Sequence, residues 1–214
     1  MYKAVMVSLR LALGIGLLGS VVWQVTDRVI NNVFRPDEYF AYFSIVSAIV
    51  AGGLSLYSAY VLAAGKDETK FHNIARLSLA AAMVIVGVVY HALLADAAPD
   101  ARDVGYVWPV LPNQIIHTYA PILIVIDYLF SIRSPKLRLR ASLWVAIFPL
   151  AWLAFSVVRG LVTNWWPYWF INPNEEGGVP SMLMYVGAIT VFFLAVGYLL
   201  QSVRLSFSKI GSGN

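Results

Sequence analysis

Cysteine is absent from the chain, which excludes a disulfide framework, a thiol nucleophile and any thiolate metal site. Charge is scarce: Asp, Glu, Lys and Arg make up 12% of the residues, too few to solvate the surface of an ordinary soluble domain. Apart from Ser212 and Gly213 there is no low-complexity run or linker, and no internal repeat is evident. What fills the 214 residues is apolar sequence, 60% of the chain, with a mean hydropathy of +0.73. That is the composition of a membrane protein.

Six apolar stretches, near 5–25, 39–64, 74–95, 114–132, 141–162 and 181–202, are each long enough to cross a hydrocarbon core of roughly 30 Å. The expected architecture is an all-α integral membrane protein, residues 1–214 forming a single domain of six transmembrane helices. The first stretch is too long for a signal peptide and lacks a small-residue cleavage site, so it reads as a retained span. With both termini cytoplasmic, Lys3, Arg10, Lys66, Lys70, Arg76, Arg133, Lys136, Arg138, Arg140, Arg204 and Lys209 fall inside, against Arg28, Arg35 and Arg102 outside. This is the positive-inside bias, and it assigns the net charge of +4 to topology rather than to nucleic-acid binding. Arg159 is then the one basic residue expected well inside a span.

Within the spans, Ala12, Gly16 and Ser20 form a small-residue stripe suited to close helix packing, and Gly52 and Gly53 are expected to serve the same end. Pro121 and Pro149 predict kinks; the carbonyl that Pro121 would crowd belongs to His117. Between the last two spans lies an aromatic loop, Trp165-Trp166-Pro167-Tyr168-Trp169-Phe170. It reads either as an interfacial aromatic belt or as a lid and acyl-chain rim over a site below.

Ser44, His91, His117 and Arg159 are polar residues in four different spans. At about 1.5 Å rise per residue, Ser44 falls roughly 7 Å and His91 roughly 6 Å below the outer ends of their spans, and the other two lie similarly. Intramembrane polar groups are costly and mark functional sites by default. A hydroxyl beside an imidazole is the minimum set for nucleophilic acyl transfer, with Ser44 as nucleophile, His117 as base and Ser47 as the backup hydroxyl. Arg159 is suited to an oxyanion or a substrate carboxylate, and Asn113, one turn before His117, to orienting the imidazole. Asp127 is expected to pair with the basic inner loop, Arg133 being the nearest candidate. A three-histidine zinc site lacks its third ligand, because His72 belongs to the opposite side; a single haem between His91 and His117 is the remaining cofactor alternative. The favoured reading has no metal and no cofactor.

Tyr39-Phe40-Ala41-Tyr42-Phe43-Ser44-Ile45, Gly87-Val88-Val89-Tyr90-His91, Asn113-Gln114-Ile115-Ile116-His117-Thr118 with Pro121, and Arg159-Gly160 followed by Trp166-Pro167-Tyr168-Trp169-Phe170 resemble the androgen-induced membrane hydrolase family, in its bacterial six-span branch. Relatives there are membrane threonine hydrolases of fatty-acid esters of hydroxy fatty acids. The resemblance implies a catalytic His117, with Ser44 standing where relatives carry Thr; a register one turn earlier puts Ala41 there and leaves no nucleophile. It also implies Trp166 and Tyr168 beside the substrate, a lipid or acyl-ester substrate taken from the bilayer, and a bacterial inner membrane. The alternative from another class is a lipid-binding or transport protein with the same polar pocket and no chemistry.

Overall fold

The computed structural model describes residues 1–96, 100–131 and 134–210, the side chains of 208–210 excepted. The described residues contain helices and turns and no strand. The long helices are α1 (Tyr2–Ile30), α3 (Phe43–Ala63), α4 (Lys70–Val89), α7 (Ile147–Thr163) and α8 (Gly178–Ile210); the shorter ones are α2 (Pro36–Tyr39), α5 (Val110–Gln114) and α6 (Ala120–Phe130). Among the described residues, five helical runs are long and apolar enough to cross a membrane: Tyr2–Ile30, Phe43–Ala63, Lys70–Leu94, Leu139–Thr163 and Gly178–Phe207. The stretch expected at 114–132 is instead built in pieces: α5, a π turn over Ile115–Tyr119, then α6.

Proline explains two departures from regular helix. Pro121 has no N–H to give the His117 carbonyl, and the turn before it widens so that Ala120 N–H bonds Ile115 O. Pro149 makes no mid-helix kink. A 3₁₀ stretch over Leu139–Ala146 precedes α7, and Pro149 sits in the first turn of α7, where a missing donor costs nothing.

The central element is α4, packed by α3, α6, α8 and the 3₁₀ stretch. Its Leu77, Leu79, Ala80, Ala81, Ala82 and Met83 are buried, because the alanine run lets neighbours approach on every side. The face that α1 gives to α3 is not the expected stripe. Ala12 is exposed and Gly14 makes the close approach, with Gly52 opposite; nothing lies near Gly53. By contrast α7 buries only Ser156 and Gly160.

One end of the bundle is tied by ion pairs. Arg10 of α1 bonds Asp127 of α6 at 2.8 Å and Glu68 of the α3–α4 turn at 2.9 Å. Arg76 of α4 bonds the same two acids at 2.6 and 3.1 Å. Ser134 donates to Glu68, and the Ser58 hydroxyl lies 2.7 Å from His72. Arg10 and Arg76 are thus buried partners of Asp127 rather than loop cations, and Arg133 lies outside the described residues, as do Ser212 and Gly213. Arg159 is likewise not the only basic residue inside a span, since Arg10, Arg28 and Arg76 are all more deeply buried than it.

Removing one partner from a buried ion network leaves uncompensated charge, so Asp127→Asn is expected to lower stability by about 3–5 kcal/mol, read from thermal unfolding in detergent. Glu68 gives the pH dependence. Burial pushes its pKa up, but Arg76, the Ser134 hydrogen bond and Arg10 outweigh this and hold it below the ordinary 4.5. A depressed carboxylate contributes stability present above its unfolded value and lost below it, so the melting temperature is expected to fall as pH drops from about 6 to about 3.

Candidate functional site

At the other end, where α1 finishes and α3 begins, a polar chamber of about 660 Å³ adjoins an apolar slot of about 90 Å³. Gln24, Arg28, Arg35, Tyr39 and Asp103 line the chamber, while Ile85, Val86, Leu153, Ile189 and Phe193 line the slot. Ser44, Tyr90, Leu94, His117 and Tyr168 line both. The junction of polar and apolar space is therefore where the hydroxyl and the imidazole lie.

His117 is buried on the π turn before Pro121. Its Nδ1 lies 2.9 Å from the Asn113 carbonyl. A carbonyl only accepts, so Nδ1 carries the proton and Nε2 of the neutral ring keeps its lone pair, the form a general base requires. Asn113 thus orients the imidazole through its backbone, not its amide. The amide Nδ2 instead donates to the Tyr90 hydroxyl at 2.6 Å, and the Tyr90 ring stacks on His117 with centroids 4.1 Å apart.

Ser44 is the second residue of α3, because the chain turns separately through Pro36–Tyr39 before the helix starts. It therefore sits at a helix N-terminus rather than a turn inside a longer span. That position is chemically useful, since orphan N–H groups and the helix dipole favour negative charge there. Tyr168 caps this end: its phenol oxygen accepts the Ser44 N–H at 3.4 Å and interacts with the Ser44 hydroxyl. Burial pushes the Tyr168 pKa up to about 12, so the phenol stays protonated. Tyr90 and Tyr168 both accept from protein N–H groups, which leaves their own O–H groups available to a ligand oxygen. No hydrogen bond joins Ser44 to His117 among the described residues.

The other expected site residues stand elsewhere. His91 is exposed, lines neither cavity, and lies 3.0 Å from the Thr118 hydroxyl, tying its π turn (Tyr90–Leu94) to that of His117. Two imidazoles in such different settings do not face a common haem space. Arg159 donates to Asp37 at 2.9 Å and lies over the Trp165 ring, so it braces the loops rather than meeting the cavities. Ser47 is buried with an unpartnered hydroxyl away from both cavities, and Trp166 packs on Gly160. Of the aromatic loop, Pro167, Tyr168 and Trp169 wall the chamber, and Tyr168, Phe170 and Ile171 wall the slot.

Several features of this site have little or no local signal in the sequence. The π turns have no local signal except Pro121. In the sequence Tyr90 stands out only as the neighbour of His91, although it is the residue that touches both Asn113 and His117. The Ser58–His72 contact is another hydroxyl–imidazole pair, but its adjoining cavity of about 20 Å³ admits no substrate, and it belongs to the ion network. No three metal-ligating side chains cluster among the described residues.

A chamber rim of ion pairs completes the site: Arg35 with Asp103 at 2.7 Å and Glu38 at 3.0 Å, and Arg102 with Glu38 at 2.8 Å and Asp100 at 2.5 Å. Hydrogen bonds from Arg102 pull the Asp100 pKa down to about 2. Comparison with protein-family models, curated proteins and solved structures finds no match.

Gly87 sets the position of His117. A Cβ there would lie 3.1 Å from the His117 carbonyl oxygen and 3.4 Å from the Pro121 ring, and neither can swing aside. Gly87→Ala is expected to cost about 1–3 kcal/mol and to displace the imidazole, read as an altered His117 ring signal in NMR of the folded variant.

Proposed function

We propose that this protein is an intramembrane hydrolase of lipid or acyl esters. The observation that carries the reading is that Ser44, His117, Tyr90 and Tyr168 all stand where an apolar slot meets a polar chamber. An amphiphile with its chain in the slot and its polar portion in the chamber has its ester at that junction. His117 Nε2 takes the proton of the Ser44 hydroxyl as Oγ attacks the ester carbon; the phenol O–H groups of Tyr90 and Tyr168 donate to the oxyanion. Collapse breaks the acyl C–O bond, and the alcohol leaves with the proton returned by His117. Water, deprotonated by the same imidazole, then releases the acid and restores Ser44.

The resemblance to the androgen-induced hydrolase family points the same way, toward fatty-acid esters of hydroxy fatty acids, with Ser44 in the place of Thr. In this reading the helical pieces from Val110 to Phe130 form the sixth crossing, both termini are cytoplasmic, and the membrane is a bacterial inner membrane. The chamber then faces the outer side.

A second reading, lipid binding or transport without chemistry, is favoured by the lack of a Ser44–His117 hydrogen bond, since one water or the substrate itself has to complete the relay. A fluorophosphonate probe with an alkyl chain decides. The hydrolase reading expects labelling of the wild type, none of Ser44→Ala, which lacks the attacking oxygen, and at least a hundredfold slower labelling of His117→Ala, the order of an acid–base contribution, about 10²–10⁴. Equal labelling of all three, with a lipid recovered unchanged from the purified protein, overturns it in favour of binding.

A further inference from the structure

The described residues include three buried arginines, Arg10, Arg28 and Arg76. Arg10 and Arg76 each have two carboxylate partners. Arg28 has none. Its residue is 5% exposed, its Nε is buried without a hydrogen-bond partner, and no carboxylate lies within ion-pair distance. The guanidinium lies over the Trp108 ring at 3.8 Å, with the Tyr39 and Tyr106 rings at 5.2 and 5.8 Å.

The acids nearby are engaged with other groups. Asp103, on the chamber wall, is bonded to Arg35; Glu38 is shared by Arg35 and Arg102; Asp100 is held by Arg102; Asp27, next to Arg28 on α1, accepts from the Tyr106 hydroxyl at 2.5 Å. Ring faces and the carbonyl end of α1 offset part of the desolvation of a buried guanidinium, but they leave its Nε donor unmet. A planar fork without a carboxylate partner, lining a chamber, is the arrangement that receives a carboxylate or phosphate.

We infer that Arg28 is the anion-recognition residue of the chamber, and that the ligand is a chain-bearing oxyanion whose carboxylate or phosphate lies on Arg28 while its chain occupies the slot. The inference rests on the amphiphile reading of the two cavities but not on the hydrolytic step. Ser44 and His117 stand between the two ends of such a ligand, so the anion fixes which bond of the chain is presented at the junction. Neutral amphiphiles of equal length lack this anchor.

The test uses the full chain in nanodiscs of zwitterionic lipid, with binding of dodecanoate, dodecyl phosphate, dodecanol and inorganic phosphate followed by calorimetry. The wild type is expected to prefer the two chain-bearing anions over dodecanol by about tenfold or more, the value of one charge-assisted contact of roughly 1.4 kcal/mol or above. Arg28→Gln is expected to abolish that preference while leaving dodecanol binding unchanged, and Arg28→Lys, which keeps the charge, to retain part of it. Should Arg28→Gln fail to fold, the loss of preference from wild type to Arg28→Lys, together with Trp108→Leu, carries the comparison. Ser44→Ala is expected to keep the full preference, which separates failure of hydrolysis from failure of anion recognition. Binding of inorganic phosphate as tight as dodecyl phosphate identifies a free-anion site and overturns the chain-bearing ligand. A wild type that binds dodecanol equally well, or an unchanged preference in Arg28→Gln, overturns the assignment of Arg28.

Discussion

Two arginines and two carboxylates, Arg10, Arg76, Asp127 and Glu68, hold the helices of this protein in register. In an apolar setting helix packing has no hydrophobic driving force to choose one rotation over another, since lipid tails and leucine side chains are equivalent. A buried charge does choose. Arg10 fixes the rotation of α1 against α6, and Arg76 fixes α4 against the same carboxylate. Because each acid is shared by both arginines, rotating one helix exposes charges on the others. Arg204 of α8 joins the arrangement by donating to Asn73 and to the Ser131 carbonyl. The rotation imposed at this end decides which faces meet at the far end, about 27 Å away along α1, where Arg28 and Gln24 look into the chamber.

That far end is built on a different principle. Its key residues lie where regular helix gives way: His117 and Tyr90 on π turns, Ser44 at a helix start, Tyr168 in a loop. A π turn carries an extra residue, which rotates the following side chains and frees a carbonyl. Gly87 accepts the freed His117 carbonyl closely enough that α4 and α6 remain packed. The site's polar groups meanwhile remain unpaired on one side: Nε2 of His117, the phenol protons of Tyr90 and Tyr168, and the Nε of Arg28.

The sequence displays the long helices plainly, because each is a hydrophobic run of membrane length, and it points to His117, Asn113 and Tyr168 through their motifs. It mislocates Ser44 by treating 39–64 as one helix, since nothing local announces the separate turn at Pro36–Tyr39 except Pro36 itself. It overrates His91 and Arg159, because depth along a span says nothing about which way a side chain turns. It passes over Arg28, which near a span end looks like a topology signal. Asp127 likewise finds its partners 117 and 51 positions away in the chain, contacts that no spacing rule reaches.

The thin attachment of α7 has a consequence for how the slot is filled. Leu150 lines the slot and is 48% exposed, and α7 buries only Ser156 and Gly160 along its length. The slot is therefore walled on this side by the most lightly packed helix of the bundle. For a ligand that loads through it, the concentration that matters is the mole fraction in the bilayer, and occupancy follows surface dilution rather than aqueous solubility. Chain-bearing molecules too insoluble to be measured in water are then still abundant at the doorway.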